Sequence, residues 1–235
     1  MKRAVLLILF VAAAICFAAL GIWQLERRAW KLDLIARVDA RIQAVPVPAS
    51  AQSRWTQISV RDHEYRRIWL TGRFQHDRAT LVDALTAQGP GFWVLTPLIT
   101  GAGTVLVNRG FVPPSHRDNY ARPQGPVKVT GLMRMTEPHG RALRPNRPDE
   151  DMWYSRDVAA IAAKRQLGPV APFFVDEEKG NAARYPVGGL TVVRFRNVHL
   201  TYAITWLLLA FMAGVGAWRV VSAPVKSQGR IIDHG

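Results

Sequence analysis

His199 stands where a charged stretch of the chain meets an apolar one. Arg194 and Arg196 precede it, and residues 197–218 contain no Asp, Glu, Lys or Arg. A helix of that length crosses a bilayer, and an ionisable side chain at the mouth of such a helix is a functional candidate. In helical geometry His199, Ala203 and Trp206 fall at i, i+4 and i+7 on one face, with Tyr202 beside them. An imidazole among aromatic rings, next to Arg194 and Arg196, suits ligation of a flat metal cofactor whose acidic groups meet the arginines. The same residues also fit an interfacial aromatic belt, in which a histidine is simply half solvated. The spacing leaves both readings open.

Signatures of catalysis are scarce. The chain has no GxSxG, no P-loop, no GxGxxG after a strand and no HExxH. Ser115 and His116 are adjacent, which does not orient a base against a nucleophile. Asp149, Glu150 and Asp151 read as a solvated loop, and His63, His76, His116 and His139 show no metal-ligand spacing. We therefore expect no enzyme. Two patches stand out. In Asn108-Arg109-Gly110 an apolar strand ends on an arginine whose planar fork can either hold a carboxylate or pair with a core acid or carbonyl. Gly110 there permits an unusual backbone angle. Pro186-Val187-Gly188-Gly189 reads as a turn.

The elements that position these residues begin with a second apolar run. Residues 4–25 are uncharged, longer than the core of a signal peptide, and continue past Ala12-Ala13-Ala14. The run reads as an uncleaved anchor, with a transmembrane helix at 4–23 and a juxtamembrane helix at 24–44 that ends at Pro46 and Pro48. Cys16 is the only cysteine, which excludes an intramolecular disulfide. β-Branched and aromatic runs predict strands at 67–74, 80–84, 92–98, 104–108, 127–133, 173–175 and 190–195, and an Ala-rich run predicts a helix at 157–167. A second transmembrane helix at 197–218 and a cytoplasmic tail at 219–235 follow. The fold class expected is membrane α+β: two transmembrane helices flanking one mainly antiparallel β extramembrane domain, 45–196, with a packed helix.

The formal net charge is +14. Setting aside Lys2, Arg3, Arg219, Lys226, Arg230 and Asp233 removes four of these charges and leaves +10 between the tails. Without a nucleic-acid motif in a tethered domain, nucleic acid is excluded as the partner, and anionic lipid headgroups or an acidic partner fit better. Two spans place both termini on one side. Charge gives a preference for cytoplasmic termini, and the lack of a targeting extension before the first span favours a bacterial plasma membrane with a periplasmic domain.

Taken in order, a longer set of residues resembles the surfeit-locus (surf-one, or shy-one) cytochrome oxidase assembly family. The set opens with Leu20-Gly21-x-Trp23-Gln24-Leu25-x-Arg27-x-x-Trp30-Lys31, Glu64-Tyr65-Arg66, Gly72-x-Phe74 and Thr96-Pro97. It continues through Val105-Leu106-Val107-Asn108-Arg109-Gly110-Phe111-Val112-Pro113, Gly131-x-x-Arg134, Pro145-Asn146 and Trp153-x-x-Arg156-Asp157. Pro172-x-Phe174-x-Asp176, Gly188-Gly189 and Arg196-Asn197-x-His199-Leu200-x-Tyr202-x-x-Thr205-Trp206 complete it. The resemblance implies assembly of a haem-copper oxidase, with cytochrome c oxidase subunit I and a haem a synthase as partners beside the lipid bilayer. It also implies transient binding of haem a, and carries the family's haem-linked histidine over to His199. Our own additions are Arg194 and Arg196 as propionate partners and a site framed by both spans, with Tyr202, Trp206 and Trp23 around the ligand. Small residues at Ala210, Gly214, Ala213 and Ala217 would let the spans approach. The rival reading is a membrane scaffold that steadies subunit I or a haem-synthesis enzyme and binds no haem.

Overall fold

The computed structural model describes residues 2–141, 143–178, 184–190, 195 and 197–223. The chain divides into two compact units, one formed by Met1–Ala36 with Arg194–Gly235 and the other by Arg37–Val193. Arg194 and Arg196 lie outside the described residues, as do the predicted strand at 190–195 apart from its two ends and most of the 219–235 tail.

The first unit holds two helices that are long and apolar enough to cross a membrane, α1 (Lys2–Gln43) and α4 (His199–Ser222). The predicted segments 4–23 and 24–44 are one unbroken helix, because no Gly-Pro or Pro step interrupts the chain before Pro46. The helices run antiparallel and are tied at both ends. Arg3 at the start of α1 donates from Nε to the Val220 carbonyl at 3.0 Å and from Nη2 to the Ala223 carbonyl. This cation serves the otherwise unmet carbonyls at the C-terminus of α4.

The second unit is built on strands β1 (Val47–Pro48), β2 (Arg67–Phe74), β3 (Thr80–Thr86), β4 (Gly89–Thr100), β5 (Gly103–Val112), β6 (Pro126–Met135) and β7 (Val170–Glu177), with helices α2 (Val60–His63) and α3 (Val158–Lys164). The strand order is β1-β2-β6-β7-β5-β4-β3, and β2 also pairs with β4 through Gly72↔Thr100 and Phe74↔Leu98. The sheet therefore closes into a five-stranded barrel, which periodicity alone did not foretell. Most pairs are antiparallel as expected, but β5–β7 and β1–β2 are parallel. β1 forms directly after the helix-ending Pro46, because Val47 and Pro48 lie alongside Ile68 and Trp69.

Alternation along the ring strands sends Leu98, Val105, Val107, Val129, Phe173 and Val175 to the barrel interior. The opposite face of β4, β5 and β7 offers Leu95, Leu106 and Phe174 to α3 through Val158 and Ile161, with Trp153 beside them. Asp157 caps α3 by accepting from the Ala160 N–H at 3.1 Å. Each fully buried Leu, Val or Phe stabilises the fold by roughly 1.5–3 kcal/mol.

Candidate functional site

His199 opens α4, and its Nδ1 lies 2.8 Å from Oε1 of Gln24 on α1. An amide oxygen only accepts, so Nδ1 is the donor, and in the neutral ring that tautomer leaves the lone pair on Nε2. Four residues along, Ala203 is fully buried, and a side chain at Gly21 would meet Leu207 at 2.8 Å and the Ala203 carbonyl at 3.6 Å. Gly21 is thus the small residue that allows the backbones to approach. One turn further, Trp206 stacks on Phe17 with ring centroids 5.6 Å apart. The predicted face of His199, Ala203 and Trp206 is the face that α4 turns to α1.

The remaining expected residues lie elsewhere. Tyr202 and Trp23 point outward, 51% and 54% exposed. Of the small residues, Ala213 is buried, whereas Gly214 is exposed and a side chain there would meet open space. The close contact is made instead by Gly21 and by Gly216 against Phe10. Helical phase explains this correction, since Ala213 and Gly214 are neighbours and so point about 100° apart. Gln24 stands in the sequence beside Trp23 without announcing a role. Only the antiparallel register pairs it with His199.

The polar ties Arg3–Val220 and Gln24–His199 are separated by 21 residues of α1, which at the helical rise is about 30 Å. That is the thickness of a bilayer's hydrocarbon core. Between them the outer faces are apolar, with Ile8, Ile15, Phe211 and Met212 all more than 60% exposed.

The donor set decides what group fits. Among the described residues no cluster of three or more His, Cys, Asp or Glu can hold a bare metal ion. A single imidazole with its far nitrogen fixed by an amide oxygen would suit an iron whose remaining donors came from a macrocycle. Asn197 Oδ1, two residues before the histidine, is buried and without a partner among the described residues, and so leaves one acceptor for an incoming donor.

A second constellation lies on the outer side of the barrel. Asp176 Oδ1 accepts from Asn108 Nδ2 at 2.8 Å and from Arg156 Nη1 at 3.2 Å, while Oδ2 accepts from Arg134 Nη1 at 3.0 Å. Arg156 also grips Glu137, and Arg134 faces Glu64 at 3.5 Å and stacks over Tyr65. Burial drives the Glu137 carboxyl up, but Arg156 and Arg134 more than offset this and hold it below the usual range. Residues dispersed over more than a hundred positions gather here into one ion-pair knot. Its charges are matched within the knot, although Arg134 Nε makes no hydrogen bond among the described residues, and this matching marks the knot as structural support. The strand does not end at Asn108-Arg109-Gly110 as expected: β5 runs on to Val112, and Gly110 adopts φ +124° within it, its Cα facing the Val187 carbonyl too closely for any side chain.

The Ser115 hydroxyl and His116 Nδ1 are 3.0 Å apart and exposed, and among the described residues no carboxylate hydrogen-bonds the ring. Asp151, of the acidic cluster, is engaged by Arg165 at 2.6 Å and by Trp153 Nε1 at 2.8 Å.

The family model described as SURF1 family matches residues 11–211, which takes in most of α1, the whole barrel and the first half of α4. The chain belongs to the SURF1 family. It is 34% identical over 209 residues to Surfeit locus protein 1 of Rattus norvegicus and 33% identical over 210 residues to that of Homo sapiens. In both cases 80% of this chain is covered, and it spans 66% of the relative's length. A SURF1-like protein of Monosiga brevicollis is 33% identical over 204 residues, covering 80% of this chain and 76% of that protein.

Proposed function

We propose that this SURF1-family chain is a membrane-embedded assembly factor for haem-copper cytochrome c oxidase, which holds haem a at His199 and passes it to subunit I. The observation that carries this reading is the Gln24–His199 hydrogen bond, because it presents Nε2 as an available ligand at the end of an apolar helix pair. Haem is the cargo, destined to become the oxidase's redox centre. His199 would supply the one protein ligand to the iron, with Gln24 orienting its ring. Trp206, Tyr202 and Trp23 offer apolar surface at that level, and Arg194 and Arg196 provide cations for the propionates. A single protein ligand would leave coordination open to a ligand of the acceptor, so holding and release would be compatible. We read the chain as non-enzymatic.

In this reading α1 and α4 span a bacterial plasma membrane, with both termini cytoplasmic and the barrel periplasmic. Subunit I is the recipient and a haem a synthase the donor. The 30 Å separation of the polar ties supports the spanning arrangement.

The test is an absorption spectrum of protein purified in mild detergent from cells that make haem a, with wild type beside His199→Ala. We expect a haem band in wild type that is absent from the variant. Equal bands in both proteins would place the ligand elsewhere. No band in either, with subunit I still co-purifying, would overturn the carrier reading in favour of a scaffold.

A further inference from the structure

Arg109 is 6% exposed, and its Nε and Nη1 are buried with no hydrogen-bond partner among the described residues. It sits on β5 two residues beyond Val107, so alternation turns it toward the barrel interior. The parallel register that sets Val107 against Val175 and Asn108 against Asp176 brings Glu177 alongside as the next neighbour. Yet Arg109 and Glu177 form no ion pair, and the guanidinium instead lies 5.0 Å over the Phe74 ring. Thr96, which pairs with Val107, is fully buried in the same layer, and its hydroxyl also lacks a partner. A buried guanidinium is ordinarily paired and hydrogen-bonded, since desolvating it alone is costly. Here the fold seats one against an aromatic face and leaves its in-plane N–H groups and a neighbouring hydroxyl unmet.

We propose that this end of the barrel interior is a binding site for a carboxylate, received by the unmatched N–H groups of Arg109 and the hydroxyl of Thr96. The planar guanidinium stacked on Phe74 presents its edges to an acceptor, and a carboxylate is the planar anion that geometry suits. The site is separate from His199 and stands or falls independently of the haem reading. The charged and titratable groups facing Arg109 are Glu177 from β7, His76 after β2, and Tyr120 and Arg122 from the segment after β5. Burial raises the Glu177 carboxyl to about 7, against the pull of Arg109. Below that pH Glu177 is neutral and leaves Arg109 to the ligand. Above it, Glu177 competes.

The test is calorimetric titration of the full chain in detergent, at fixed ionic strength, with acetate and with hexanoate, and with sulfate as the non-planar anion. Arg109→Met and Glu177→Gln are run beside wild type, with circular dichroism to confirm folding. We expect a carboxylate to bind wild type about tenfold or more tightly than Arg109→Met, and more tightly at pH 6 than at pH 8. Glu177→Gln should remove most of that pH dependence. Acetate binding points to a small free carboxylate, and hexanoate binding alone points to one carried on an apolar body. Sulfate binding as tightly as either, binding unchanged in Arg109→Met, or no binding at all would each overturn the proposal. Should Arg109→Met fail to fold, Arg109→Lys serves in its place, because it keeps the charge but loses the fork.

Discussion

The helix pair and the barrel satisfy their side chains in opposite ways. In the barrel, Leu95, Leu98, Val107 and Phe174 are fully buried, and Asp176 is held by three partners at once. In the helix pair most large apolar side chains face outward, and among the described residues the two helices are joined by a stacked ring pair, glycine contacts and a polar tie at each end. Exposed apolar surface on that scale is costly in water and is at rest in hydrocarbon. The barrel carries its own solvent-excluding core, whereas the helix pair relies on its surroundings. A histidine placed on the second kind of unit can be reached without opening a core. The polar groups of the first kind chiefly hold the fold.

That contrast can be broken from either side. The largest effect should come from Asp176→Ala, which strips the shared acceptor from Arg134 and Arg156, whose side chains are 14% and 15% exposed. Removing this shared buried carboxylate, with only Glu137 and Glu64 left to face the two cations, should destabilise the barrel by about 3 kcal/mol, read by urea unfolding, while haem content of folded protein stays unchanged. A haem loss there would show that the units are not functionally separable.

Glu177→Gln comes next and acts with a definite sign. Glu177 titrates at about 7 in the folded protein, against an ordinary value of 4.5. A raised folded pKa gives stability that is full below pH 4.5 and is lost as pH rises through about 7. Wild type should therefore weaken from pH 5 to pH 8 by on the order of 3 kcal/mol, and the glutamine variant should not. Parallel pH–stability curves for the two proteins would refute this.

Smaller in free energy, but specific to the helix pair, is Gln24→Leu. Losing the group that fixes the His199 tautomer should weaken haem retention about 10- to 100-fold, measured by haem transfer to apomyoglobin, with barrel unfolding unmoved. The smallest effect is expected from Arg3→Met, which removes the cation from the α4 C-terminus and should cost about 0.3–1 kcal/mol of helix-pair stability. Hydrogen exchange in the last turn of α4 would report it, and the haem spectrum should not change.

The sequence by itself determined what depends on neighbours along the chain. Two uncharged runs specify two helices whatever lies between them, and alternation with β-branched residues marks β2 at 67–74 to the residue. The position of Asp157 foretells a helix start, because cap geometry is set within a few residues, and Gly110 foretells a positive φ, although it falls inside β5 where a turn was expected. His199, Ala203 and Trp206 share a face for the same local reason, the 3.6-residue repeat. Tertiary structure alone decided which distant groups meet. Closure of the barrel rests on β2 pairing with β4, and parallel pairing of β7 with β5 sets Glu177 beside Arg109. The antiparallel register of α1 and α4 places Gln24 against His199 across 175 residues. Periodicity carries no information about these pairings. They are settled by which register buries the most apolar surface and leaves the fewest polar groups unmet, a comparison that exists only once the chain has folded upon itself.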